Sequence, residues 1–237
     1  MVATLKRQED HKRRPPHAAH ITRQTTATAV PAQRPPRQLR SEETLAKMIL
    51  AGRDLIEQHG NFDLVLISDV IRIAGTSIGA FYGRFKDKDA FIASVLDAAF
   101  AEMRAGANIG LPNDAASVEQ GTASEFAARI VRYYVDMCRR NHGMFKAVLR
   151  HFAARNPDLN PMRCLDRHIQ SLVAPALAKK MQAQAKAGSE SEVRIGMQMV
   201  VGTLYLSLLI DPGPLRVDGD LIETKLTAMM HRFLLLT

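Results

Sequence analysis

The residues best placed to do chemistry cluster between Thr76 and Lys88. Thr76, Ser77 and Tyr82 offer hydroxyls, Ile78, Gly79 and Ala80 a thin apolar surface, Gly83 a second small position and Lys88 a cation. Gly75, just ahead of them, can take the left-handed backbone conformation that a Cβ would strain. Ser77 is a good helix N-cap. Two short helices joined by a glycine turn, with a third helix before them, form the geometry that lays one helix in the DNA major groove. Small residues on its first turn let the backbone approach the bases and let thymine methyl groups be read by contact. Bond-making chemistry has little to rest on, since the chain carries no HExxH, GxSxG, Walker or glycine-rich dinucleotide sequence. His142, His151 and His168 are too scattered to form a metal site by spacing alone. No catalytic residue, metal or cofactor is expected, and the chain is not expected to be an enzyme.

The run from Asp69 to Phe91, Asp-Val-Ile-Arg-Ile-Ala-Gly-Thr-Ser-Ile-Gly-Ala-Phe-Tyr-Gly-Arg-Phe-Lys-Asp-Lys-Asp-Ala-Phe, resembles the DNA-binding domain of the TetR family of transcriptional regulators. The family pattern runs roughly D-I-A-x-x-A-G-V-S-x-G-T-L-Y-x-H-F-x-x-K-x-x-L, and the resemblance covers residues 41–92, with the helix-turn-helix itself at about 66–85. It implies that Thr76, Ser77, Ile78, Gly79, Ala80, Tyr82, Gly83 and Lys88 face DNA, with Tyr82 pointing its hydroxyl at a phosphate and Lys88 adding charge where the next helix offers N–H groups to another. Phe81 and Phe85 are expected to pack inward. Three positions depart from the pattern: Ile71 for a small alanine, Thr76 for valine and Arg84 for histidine. Ile71 is expected to widen the packing between the crossing helices, and Leu66 stands where a capping threonine is common.

Supporting elements follow from periodicity. Ser41 is expected to cap a first helix on which Leu45, Ile49, Gly52 and Ile56 recur until Gly60, followed by short helices at Ile67–Ala74 and Ser77 to about Phe85. A connecting helix carries Phe91, Val95, Ala98 and Ala99, and Gly106 to Ser117 reads as a loop. Thr122 with Glu125 and Ser189 with Glu192 are capping boxes, His142-Gly143 marks a helix end, Asn156-Pro157 another, and Asn160-Pro161 a start with a kink expected near Pro175. Asp218 or Asp220 should cap the last helix, which displays Ile222, Leu226, Met229 and Phe233. No period-2 strand is visible, so the fold is all-α with about nine helices.

Three segments result: a basic Pro/Thr-rich tail at 1–40 expected to be disordered, a helix-turn-helix DNA-binding domain at 41–101, and a C-terminal ligand-binding and dimerisation bundle at 102–237. The charge divides sharply among them. Of the formal net charge of +8, the tail holds +7, while residues 41–90 carry six basic and eight acidic side chains. Phosphate binding by the domain must therefore use placed groups and helix N-termini. The tail is either an arm that adds nonspecific attraction or enters the minor groove, or a solubilising extension.

The bundle reading assigns the apolar helix from Glu192 to Ile210, with the last helix, to a symmetric four-helix interface of a homodimer. Such a dimer reads a palindrome with its recognition helices about 34 to 36 Å apart. Candidates for a small-molecule pocket are Tyr133, Tyr134, Met137, Phe152, His168, Met199 and Tyr205, with Arg150 and His151 as polar anchors; the same residue types fill plain cores. The run Ile195–Ile210 is short of the roughly 20 residues a bilayer needs, no apolar secretory region is found, and Cys138 and Cys164 suit a reduced cytoplasm as inert buried thiols. The expectation is a cytoplasmic homodimeric regulator, a repressor released from double-stranded palindromic DNA by a small-molecule effector, with no membrane partner. A helical binding or catalytic bundle with a vestigial DNA-binding domain is the alternative.

Overall fold

Helix α1 spans Arg37–His59, beginning four residues before Ser41. In this computed structural model the described residues are 37–111, 121–152, 160–184, 186, 188–210 and 213–236, with the side chains of 37–39 left out; the tail expected at 1–40 falls outside them up to residue 36. Ser41 does not cap α1, because its hydroxyl lies within the helix and accepts from Arg84 Nη2 at 2.8 Å. Gly60, at φ 59°, ends the helix.

A 3₁₀ turn at Phe62–Leu64 leads to α2, Ile67–Ile73. Gly75 then takes φ 62° with no neighbouring atom within 4 Å of a Cβ built there, so the backbone conformation itself selects glycine. Helix α3, Ile78–Tyr82, is capped by Ser77, whose Oγ accepts from the Ala80 N–H at 3.2 Å. It is shorter than expected, although Gly83 and Phe85 still donate their N–H groups to Gly79 and Phe81. Asp87 caps α4, Lys88–Gly110, through the Ala90 N–H at 2.8 Å.

The loop expected from Gly106 is helical through Gly110, and residues 112–117 lie outside the described residues. Those glycines act as spacers here, since a Cβ at Gly110 would stand 3.2 Å from Tyr133 Cε2. Helix α5 is Ala123–Arg140, opened by the Thr122/Glu125 capping box. His142-Gly143 starts rather than ends a helix: α6 runs His142–Phe152. The glycine is there for close approach, because a Cβ on Gly143 would lie 1.8 Å from the Glu57 carbonyl oxygen. The Glu57 carboxylate accepts from the N–H groups of Gly143 at 2.7 Å and Met144 at 2.9 Å, and so caps α6 from α1.

Helix α7, Pro161–Ala183, has the expected Asn160 cap and holds Pro175 inside a continuous helix; the stop expected at Asn156-Pro157 lies outside the described residues. Helix α8, Glu190–Leu209, opens on the Ser189/Glu192 box. Helix α9, Leu221–Phe233, gets no side-chain cap from Asp220, and Asp218 instead pairs with Arg216 at 3.1 Å. The described residues thus form nine α-helices and no strand.

One apolar core runs through all of them. Helix α1 packs on α4 and α6, α4 continues onto α7, and α5, α7, α8 and α9 pack among themselves. Around the helix-turn-helix the interior is aromatic: Phe81, Phe85 and Phe91 stack mutually with ring centroids 5.0 to 5.2 Å apart, each such pair adding about 0.5–1.5 kcal/mol beyond area burial. Ile71 sits partly buried against this core.

Candidate nucleic-acid interface and the clefts behind it

Helix α3 divides cleanly into an inner and an outer side. Phe81 is fully buried and Phe85 nearly so, while Ile78 is 50% exposed and Tyr82 54%. The ring of Tyr82 rests edge-on against Phe81 at 5.4 Å, which fixes its direction. Ser77 and Gly79 are exposed, Thr76 and Ala80 partly buried. Ile78, Gly79, Tyr82 and Gly83 therefore share one open surface with Ser77, while Thr76, Ala80 and Lys88 are partly buried.

One departure from the pattern, Arg84, has a physical reason. Arg84 binds the Ala80 carbonyl through Nη1 at 3.0 Å and the Ser41 carbonyl through Nη2 at 3.0 Å, in addition to the Ser41 hydroxyl. It ties the end of α3 to the first turns of α1, a role that nothing in the local spacing signals. Lys88 Nζ donates to the Asp63 carbonyl at 3.0 Å, holding the start of α4 against the 3₁₀ turn. Leu66 occupies the N-cap position of α2 without a side-chain bond, and with Leu64 and Ile73 it leaves apolar surface exposed beside α3.

The nine pocket candidates do not converge. Tyr133 and Met137 line a cleft of about 970 Å³ between α1, α4 and α5, shared with Arg53, Met103, Gly106 and Arg140. Burial pushes the Tyr133 hydroxyl up from its ordinary pKa, against the pull of Arg140. His151 and Phe152 line a separate cleft of about 250 Å³ beside Phe62 and Lys88. Arg150 reaches the Gly60 carbonyl at 3.4 Å, His168 Nε2 lies 3.0 Å from Asn108 Oδ1, and Met199 is exposed on α8.

Tyr134, which is buried, and Tyr205, which is partly so, belong to a half-buried polar cluster in the bundle. The Tyr134 hydroxyl donates to Asp166 Oδ1 at 2.7 Å, Gln170 Nε2 to Asp166 Oδ2 at 2.8 Å, and Arg194 Nη1 to Gln170 Oε1 at 3.4 Å. Burial raises the Asp166 carboxyl, with the Tyr134 and Gln170 hydrogen bonds pulling the other way. The Tyr134 and Tyr205 hydroxyls are raised well above their ordinary values, again chiefly by burial. Asp166 and Gln170 are spaced i, i+4 on α7, the only sequence signal that pairs them. Cys138 beside them is buried and its thiol is pushed up to about 12, whereas Cys164 is exposed, against expectation.

On the outer side of α8 stand Ile195, Met199, Leu206 and Leu209, all exposed, with Gly202 between them. Their spacing alternates four and three, the repeat of a helix-packing seam. Among the described residues no helix is long and apolar enough to cross a membrane, and no group of three metal-ligating side chains is found.

A helix-turn-helix set on α1 and α4, ahead of a helical bundle, defines a class of DNA-regulator folds. Within that class the fold is that of TetR-family transcriptional regulators. GusR of Salmonella enterica matches at 17% identity and TM-score 0.56, over 81% of this chain and 95% of that one. The reduced form of E. coli NemR matches at 16% and 0.58, over 80% and 96%. A TetR-family regulator from Pectobacterium atrosepticum matches at 20% and 0.51, over 85% and 95%. No protein-family model matches the chain, and no curated protein does.

Proposed function

We propose that the chain is a DNA-binding transcriptional regulator of the TetR type, a cytoplasmic homodimer that represses from a palindromic operator until a small molecule enters it. The observation that carries this reading is the split of α3, with Phe81 and Phe85 locked in the core and Ile78 and Tyr82 held outward. Residues 41–101 serve as the DNA-binding unit and 102–237 as the effector and dimer unit. The α8 seam, with α9, is the surface for the second copy. The basic tail either adds a phosphate-binding arm or serves solubility.

The cleft between α1, α4 and α5 is the preferred effector site. It touches the first helix of the DNA-binding unit, the connecting helix and the bundle at once, so a ligand there bears directly on their relation. A ligand that favours the displaced arrangement shifts the population toward a dimer whose recognition helices no longer match the half-site spacing. Glu57 is the second connection, since its hydrogen bonds join the last turn of α1 to the start of α6.

Selection of bound sequences from random double-stranded DNA tests the reading. A palindrome is expected, and Tyr82→Ala should weaken its binding with the fold intact. Weak binding without sequence preference favours the alternative of a binding or catalytic bundle with a vestigial DNA-binding domain.

A further inference from the structure

Tyr133, Met137 and Arg140 stand at i, i+4 and i+7 on α5 and form one wall of the cleft of about 970 Å³. That wall is apolar in its middle and polar at both ends. Helix α4 supplies the facing wall with Met103, Ile109 and two glycines. A Cβ at Gly106 would stand 3.9 Å from the Tyr133 hydroxyl, and one at Gly110 3.2 Å from its ring, so side chains at these two places would crowd the phenol. Met103 and Met137 are buried, whereas Ile109 is 87% exposed at the rim. An apolar body in the cleft would cover surface that the single chain leaves in water.

The charges in the cleft are unevenly matched. Arg53 of α1 and Glu102 of α4 pair with each other, Nη1 to Oε2, so the acid of the lining is already taken. Arg140 makes no ion pair and no side-chain hydrogen bond with any described residue, and its charge acts on the Tyr133 hydroxyl. That hydroxyl is half-buried and finds no hydrogen-bond partner among the described residues. A donor withdrawn from water without a partner is costly. Here two such donors, a phenol and a guanidinium fork, line one space.

Resting on the reading of this cleft as the effector site, we infer that its ligand is a monocarboxylate on an apolar body. The carboxylate accepts from the Arg140 fork and the Tyr133 hydroxyl, and the body lies on Met103 and Met137 beside Ile109. A planar anion with two oxygens matches a guanidinium fork. One unpaired positive charge, with Glu102 in the same lining, suits a single negative charge and disfavours a second, which sets phosphate esters and dicarboxylates behind monocarboxylates. A neutral apolar compound gains the contacts of the body but leaves the fork unanswered. The volume lies within the about 300–1,000 Å³ of sites that enclose such molecules.

The test uses the full chain, the fluorescent acid 1-pyrenebutyrate and its neutral counterpart 1-pyrenebutanol. The acid should bind about tenfold or more tighter than the alcohol, the worth of hydrogen bonds to a charged group. Arg140→Gln, at an exposed position, should bring the acid down to the affinity of the alcohol. Tyr133→Phe should weaken the acid about threefold. Gly106→Leu fills the cleft and should abolish binding of both compounds; thermal unfolding of each variant separates a lost site from a lost fold. Equal affinity for acid and alcohol, an acid preference that survives Arg140→Gln, or no binding up to about 1 mM overturns the inference and leaves the regulator reading standing. Acid binding that depends on Arg140 but leaves affinity for the selected DNA unchanged upholds the ligand class and overturns the effector role of the cleft.

Discussion

The recognition face of α3 and the outer seam of α8 are both open and apolar, and both contain a helical glycine with room beside it. A Cβ at Gly79 meets only Ser77 Oγ at 4.0 Å, and one at Gly202 meets nothing within 4 Å. They differ in extent and in company. On α3 the exposed apolar surface is one isoleucine and one small neighbour on a five-residue helix, flanked by hydroxyls. On α8 four large apolar side chains recur over Ile195 to Leu209. The first buries too little to hold a protein partner and suits contact with a groove whose phosphates supply most of the affinity. The second is long and regular enough to hold a second copy by hydrophobic burial.

The largest expected effect breaks the α8 side. Leu206→Glu puts a charge into the middle of the seam, where Leu206 is 50% exposed in the single chain and therefore free to change without harming its own core. Sedimentation should show monomer, and operator affinity should fall about 100-fold or more because two half-sites are no longer bound as one unit. A variant that stays dimeric, or a monomer that binds DNA unimpaired, would remove the contrast between the two faces.

Next in size is a contrast between a closed glycine and an open one. Gly143→Ala drives a methyl into the Glu57 carbonyl and should cost about 3 kcal/mol in denaturant unfolding. Gly202→Ala should leave the folded monomer as stable or up to about 1 kcal/mol more so, while weakening the dimer. Equal effects at the two positions would mean that the space beside Gly202 has no partner.

The same contrast explains what could be read in the chain alone. The helix-turn-helix was legible because its parts are contiguous: Gly75, Ser77, Phe81 and Phe85 lie within eleven residues and each has a local reason. Both capping boxes and Asn160-Pro161 were legible for the same cause. Gly143 reads as a helix stop in the sequence because its reason, the Glu57 backbone, lies 86 residues earlier. Gly106 and Gly110 suggest a loop in the sequence because the Tyr133 side chain that fills their side of α4 comes from another helix. Arg84 reaching Ser41 and the Asp166 cluster are likewise products of tertiary approach. Residue type does not separate a cleft wall such as Tyr133 from a seam residue such as Met199.

A finer cut at the recognition face is Tyr82→Phe. The ring keeps its edge contact with Phe81, so thermal unfolding should not move, and only the outward hydroxyl is lost. Operator affinity should fall about tenfold, the low end of the worth of one hydrogen bond to a charged oxygen, and it should fall alike for operator and unrelated DNA. A loss confined to the operator would assign Tyr82 to base reading instead.

The smallest effect concerns interiors, where the aromatic packing under α3 contrasts with the polar cluster in the bundle. Burial raises the Asp166 pKa in the folded protein, so between the unfolded value near 3.9 and the raised one the native state holds a proton that the unfolded chain has lost. Stability then declines as pH rises through that window and stays lower above it, where an ionised carboxylate must be kept buried. Asp166→Asn removes the titration and keeps the Tyr134 and Gln170 contacts, since its amide can accept from Tyr134 and Gln170 can turn its own amide to match, at the loss of the long Arg194 contact to the Gln170 oxygen. The variant should gain under about 1 kcal/mol at neutral pH and lose the decline that sets in as pH rises above the unfolded carboxyl value, measured by thermal unfolding at each pH. Its operator affinity should be unchanged, because no element of the recognition face touches the cluster. An unaltered pH slope would place the titrating group elsewhere and make the cluster a neutral hydrogen-bond network.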